Sequence, residues 1–156
     1  MTSPATYKTD SDLNIRKVRI DDIGQLLPIL YQLSPLKSHE TEDQERLKTV
    51  LEEIIADKNH HIFVCESGGQ IVGSATLLIQ QNLTHGGRPY GHIENVVTHA
   101  SCRKKGVGKL LVTELHKIAK QYGCHKVILE CSKENVQFYQ KCGMKETGEV
   151  EMRIDT

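Results

Sequence analysis

The sequence carries no excess of either charge: Lys and Arg together number 20, and so do Asp and Glu. A chain without a net field has nothing to draw it onto nucleic acid or an anionic membrane, so neither is expected as a partner and any bound anion must be gripped locally. The ligand is therefore expected to be small. No C-x-x-C pair occurs among its five cysteines (Cys65, Cys102, Cys124, Cys131 and Cys142), and its eight histidines form no H-x-x-x-H pair. That spacing implies no metal, and it fits reduced thiols in a cytoplasmic protein, most of them small buried residues. No apolar run approaches the ~18 residues needed to cross a bilayer. The opening "MTSPATYKTDSD" lacks the charged-then-apolar order of a signal peptide. Internal repeats, low-complexity segments and linkers are absent too. A length of 156 residues suits one core and not two. The expectation is a polar, flexible tail over 1–12 and a single domain over 13–156.

What is present reads as alternating strands and helices. "LNIRKVRI" from Leu13 to Ile20 alternates with the period of a half-buried strand. "DD" then opens a helix through Ile23, Leu26, Leu27, Leu30 and Leu33, its acids suited to the positive end of the helix dipole, and Ser34-Pro35 ends it. A second helix is expected from Glu40 to Asp57. Two β-branched-rich runs meet at Gly68-Gly69 as a hairpin. "GHIENVVTH" is a further strand. Val107, Leu110, Leu111, Leu115, Ile118 and Ala119 mark a helix that Gly123 stops. "HKVILEC" reads as a strand covered on both faces, and "SKENVQFYQKC" as a short helix with Ser132 at its N-cap and Gly143 past its end. The closing "EVEMRID" alternates again.

The densest chemistry lies at "SCRKKGVGKLL", residues 101–111. A nucleotide P-loop would need glycine at position 103 and Ser or Thr after Lys109, where Arg103 and Leu110 stand. A dinucleotide fingerprint would need a third glycine at position 111, which is leucine. Two readings remain open: a basic turn whose glycines only bend the chain, or an anion cradle. In the second, a helix starting near Gly106 exposes its first N–H groups, glycines admit a phosphate, and Arg103, Lys104 and Lys109 neutralise it.

R-x-x-G-x-G between a strand and a long helix resembles the acetyl-CoA pyrophosphate loop of the GNAT acetyltransferase superfamily. "GHIENVV", "GKLL", "YGCHKVILECS" and "NVQFYQKCGM" are similar, more narrowly, to the glucosamine-6-phosphate N-acetyltransferase family, over residues 79 to 144. The resemblance implies an α/β (α+β) GNAT acyltransferase fold: a mixed, mostly antiparallel sheet with splayed central strands, flanked by helices. It implies direct acetyl transfer from acetyl-CoA to the 2-amino group of D-glucosamine 6-phosphate, a step toward UDP-GlcNAc. It further implies a homodimer in which the last strand is exchanged and the active sites are shared.

Carried onto this sequence, the family's CoA contacts fall on the main chain of Val96 and Val97, on Arg103, Lys104, Lys105, Gly106, Val107, Gly108 and Lys109, and on Tyr139. The tyrosine would hand a proton to the departing thiolate. Glu94 and Glu130 stand at two strand ends, where they would bind the sugar or orient its amine. Asn95 replaces an aspartate usual in the family; an amide can accept a hydrogen bond but not a proton, so Asn95 is assigned to binding. Lys126 matches a family lysine, His125 replaces an aromatic hydroxyl residue, and the loop "NLTH" offers Asn82 and His85. Arg153 is the candidate substitute for a phosphate-binding arginine that relatives carry where this chain has Asp155. Without the resemblance, valines 96 and 97 are strand residues, Tyr139 is packing, and Lys126 and Arg153 are solvated charges. Acyl transfer through Cys131, a GNAT acting on another amine or a protein lysine, and a non-catalytic acyl-CoA-binding regulator are the alternatives weighed.

Overall fold

The computed structural model describes residues 12–156, so the expected tail lies, but for Asp12, outside the described residues. Five strands, β1 (Leu13–Lys17), β2 (His60–Ser67), β3 (Gln70–Gln80), β4 (Tyr90–Thr98) and β5 (Lys126–Ile128), form one sheet in the order β1-β2-β3-β4-β5. The first four are antiparallel neighbours, and β5 joins β4 in parallel. The β2–β3 turn places Gly68 and Gly69 at φ 56° and 78°, the left-handed pair that a two-residue hairpin requires.

Helices cover both faces: α1 (Ile23–Leu33) and α2 (Gln44–Ala56) on one, α3 (Val107–Gln121) and α4 (Val136–Lys141) on the other. The two-residue period of β2 divides the core. Phe63 and Cys65 pack with Val107, Leu111, Leu115 and Ala119 of α3, while Val64 packs with Leu26 and Ile29 of α1 and Leu51 of α2. Gly73 lies where α3 comes down on the sheet. A Cβ there would stand 2.5 Å from Val107 Cγ1, so the missing side chain is what lets the first turn of α3 close on β3.

The acids of "DD" do open the helical segment: Asp21 and Asp22 stand in the short turn before α1, and the Asp22 carboxylate accepts one hydrogen bond from the Arg19 amide at 2.7 Å and two from Arg16 at 2.7 and 2.8 Å. A largely buried guanidinium on β1 needs a counter-charge, and Glu66 completes the cluster. The Arg16 guanidinium in turn holds the Asp22 carboxyl below its ordinary range. Two local expectations are corrected. "VILEC" is not a fully covered strand, because only Lys126–Ile128 stay in the ladder. The closing "EVEMRID" forms no strand: Val150, Met152 and Ile154 are 79, 87 and 88% exposed.

His61 on β2 is buried, with Nε2 unpartnered and its ring edge-on to Tyr122 at 5.1 Å. Burial, aided by Lys17 and His60, pushes its pKa below the usual 6.5. The folded state thus resists a proton that the unfolded chain takes up, so stability is full above about pH 6.5 and is lost as pH falls below it. Thermal melts between pH 8 and 5.5 should show Tm dropping in that window, and His61→Leu should flatten the drop.

Candidate active site

β4 and β5 stay paired only from Tyr90 and Lys126 to His92 and Ile128. Beyond that point β4 bulges. Ser74 faces Val97 and Thr76 faces Glu94, so Asn95 and Val96 together oppose Ala75. Asn95 sits at φ 51°, a left-handed conformation that asparagine tolerates better than most side chains, and such a bulge bends its strand. The chain after β5 has meanwhile left the ladder. The resulting splay opens a cavity of about 370 Å³.

Its lining brings together Glu94, Asn95, Val96, Glu130 and Tyr139, five of the residues named from sequence. Val97 is not among them; its side chain is buried on the α1 face. Glu94 and Glu130 are exposed and have no hydrogen-bond or ion-pair partner among the described residues, so both carboxylates are available to a ligand. Tyr139 is half-buried, and burial, with Cys131 and Cys142 nearby, pushes its phenol up to about 12. At neutral pH that hydroxyl keeps its proton. Leu33, from the last turn of α1, and Asn135, from the turn before α4, also line the cavity and were not foreseen. A leucine in an apolar helical pattern gives no sign that its helix ends at a ligand site.

After β4 a short turn, Ala100–Cys102, leads to α3. Lys104 and Gly106 follow at φ 64° and 84°, two left-handed residues in close succession, the kind of backbone in which anion nests form. The amides from Arg103 to Lys109 have no acceptor among the described residues, the first intrahelical bond near them being Leu110 N–H to Gly106 C=O at 3.0 Å. Nothing lies within 4 Å of where a Gly106 side chain would start. Arg103, Lys104, Lys105 and Lys109 are exposed around this opening, whereas Val107 is buried and can offer only its N–H. A diphosphate suits this donor set, through helix-dipole charge, free amides and cations together. The space a Gly108 side chain would take is filled by Phe138, so its missing Cβ has a packing role that the sequence did not suggest.

Asn82, His85, His125 and Lys126 gather elsewhere. The His85 and His125 rings stack at 3.7 Å, Lys126 Nζ sits 4.6 Å from the centre of the Tyr90 ring, and Asn82 donates to Thr84, which in turn meets the Tyr90 hydroxyl. Cations and desolvation lower the His125 pKa, desolvation leading. This group lies at the Tyr90 end of β4, about 13 Å from Glu94 at a strand rise of about 3.3 Å per residue. Arg153 is exposed and bonded to Asp155, Nε to Oδ1 at 2.6 Å, outside the cavity. Among the described residues no three His, Cys, Asp or Glu side chains are grouped to hold a metal, and no helix is long and apolar enough to cross a membrane.

Residues 26–144 match the model of the acetyltransferase (GNAT) family. The chain belongs to that family. GNAT enzymes draw on acetyl-CoA. Over 150 residues this GNAT chain is 37% identical to glucosamine 6-phosphate N-acetyltransferase of Trypanosoma brucei brucei, a match covering 92% of this chain and 96% of that one. It is 36% identical over 135 residues to the enzyme of the same name from Arabidopsis thaliana, covering 83% and 88%. The crystal structure of glucosamine-6-phosphate N-acetyltransferase from Arabidopsis thaliana superposes with a TM-score of 0.83 at 33% identity, covering 91% of this chain and 97% of that one.

Proposed function

We propose that this protein transfers the acetyl group of acetyl-CoA to the 2-amino group of glucosamine 6-phosphate, releasing CoA and N-acetylglucosamine 6-phosphate. The observation that carries the reading is that β4 leads from the cavity where Glu94, Glu130 and the protonated Tyr139 phenol meet to a run of free amides before α3. Near-full-length likeness to proteins named for this reaction selects the amine.

In this reading the amides of 103–109 and their cations hold the diphosphate, and β4 at Val96 and Val97, open on its β5 side, receives the pantetheine arm as an added strand would be received. Glu94 and Glu130 bind the sugar and orient its nitrogen, with Asn95 accepting from a hydroxyl. Attack by the free amine on the thioester carbon forms the amide C–N bond and breaks the C–S bond. Tyr139 gives its proton to the departing sulfur, and the proton leaving nitrogen goes to a carboxylate or water. Direct transfer needs no acyl-enzyme on Cys131.

The working unit is a homodimer. Two features support it: an apolar alternation at Val150, Met152 and Ile154 that the described residues leave exposed, and a group of His85, His125 and Lys126 set apart from this chain's own carboxylates. A second copy brings such a group, with Arg153, to the sugar's phosphate. Sedimentation should give a dimer, and a fully active monomer at micromolar concentration would exclude shared sites.

The reaction is tested by following CoA release with glucosamine 6-phosphate, glucosamine, spermidine and a lysine peptide. The phosphorylated sugar should exceed each of the others in kcat/KM by at least 100-fold, about 2.7 kcal/mol of differential binding. Equal rates with unphosphorylated amines would assign another acceptor, and binding of acetyl-CoA with no turnover on any amine would favour a regulator.

A further inference from the structure

Of the two glycines in the cradle, only Gly106 faces open space. A methyl group at Gly108 would lie 2.9 Å from Cζ and 3.4 Å from Cε2 of Phe138, with Thr98 Oγ1 at 3.7 Å. Phe138 immediately precedes Tyr139 on α4, and the two rings meet edge to face, centroids 4.9 Å apart at 72°. That helix has only six residues, none of them fully buried. What it packs against the core on the α3 side is Phe138 and Tyr139, joined by Cys142 just after it. Its end is fixed by bonds from Gly143 N–H to Gln140 C=O at 2.9 Å and from Met144 N–H to Tyr139 C=O at 3.1 Å, a closed left-handed cap. The placement of α4 therefore depends on how deeply the Phe138 ring sinks against the first turn of α3.

We propose that Gly108 and Phe138 form a seat that positions Tyr139, so that the second glycine of the cradle governs proton delivery rather than grip on the diphosphate. The inference rests on Tyr139 being the acid of the reaction above. Cζ lies on the Cβ–Cγ axis of the Phe138 ring, so a flip about that axis leaves the 2.9 Å approach to an added methyl unchanged. Relief requires the ring to swing or shift away from α3, and the Tyr139 ring that it meets edge to face shifts with it. A proton donor has to lie within hydrogen-bond reach of its acceptor, and a displacement near 1 Å can cost about 10²-fold in rate. Gly106, by contrast, has no such neighbour and leaves Tyr139 where it is.

The test is steady-state kinetics on Gly108→Ala, Phe138→Leu and the two combined, each made with Tyr139 intact and in a Tyr139→Phe background, with thermal melts on every protein. Gly108→Ala should lower kcat at least tenfold with KM for acetyl-CoA within twofold, and its further effect in the Tyr139→Phe background should be under twofold. Adding Phe138→Leu, which removes the pressing ring edge, should return at least threefold of the lost kcat. Where Gly108→Ala fails to melt cooperatively, Phe138→Leu alone carries the test, with the same split between kcat and KM and the same silence in the Tyr139→Phe background. A raised KM with kcat intact would assign Gly108 to the diphosphate, and an undiminished kcat loss in the Tyr139→Phe background would mean that the seat does not act through the phenol. Either result overturns the inference while a crippled Tyr139→Phe enzyme leaves the acid reading standing. Full kcat in Tyr139→Phe alone sinks that reading, and the inference with it.

Discussion

Tyr139→Phe should lower kcat by about 10² to 10³-fold while KM for acetyl-CoA stays within about twofold, the pattern of an interaction made only in the transition state. The phenyl ring keeps the packing against Phe138 and loses only the hydroxyl. Because burial holds the phenol up to about 12, the wild-type acid stays protonated from pH 6 to 10. No loss of kcat in that range should therefore trace to Tyr139, and a decline assigned to it should begin only above about pH 11. Initial rates at saturating acetyl-CoA across that range check both statements. A Tyr139→Phe enzyme with wild-type kcat would transfer the proton-donor role to water or to the Cys131 thiol that shares the cavity.

The second large effect is expected at Gly106. Its φ of 84° is one that a β-branched residue strongly resists, and the open space around it rules out any steric cause other than the backbone itself. Gly106→Val should cost about 1 to 2 kcal/mol in the loop conformation. The loop relieves that strain by turning away from the left-handed cap, which redirects the free amides of residues 107–109. KM for acetyl-CoA should then rise at least 30-fold, about 2 kcal/mol, with kcat at saturation changed less than threefold. Because the strain lies in an exposed loop and not in the core, the melt should remain cooperative. Gly106→Val and Tyr139→Phe thus separate in opposite directions, one acting on binding and the other on turnover.

Much of this site was legible in the sequence because its signals are local. The helix entrance at 101–111 announces itself through charge and glycine spacing, and the hairpin at Gly68-Gly69 through a backbone need that few other residues meet. Glu94 and Glu130 were read as carboxylates at strand ends; Glu94 lies instead in the middle of β4 and Glu130 just beyond β5, and both line one cavity. What could not be read depends on neighbours distant in the chain. The bulge at Asn95 follows from register between β3 and β4, which no single segment specifies. Leu33 reaches the cavity only because α1 happens to end above the splay. The packing role of Gly108 was hidden because its partner, Phe138, is thirty positions away along the chain. The last segment misled for a different reason. Its alternation is real, but the segment joins neither edge of the sheet, and its apolar side chains stay exposed.

The central claim is that main-chain amides at the entrance of α3 hold the diphosphate of CoA. Amide ¹H–¹⁵N spectra recorded during titration with CoA, and separately with pantetheine, test it directly. The account predicts that resonances of Arg103 through Lys109 move most with CoA and little with pantetheine, while Val96 and Val97 respond to both. Saturable CoA binding that leaves the amides of 103–109 unmoved would contradict it.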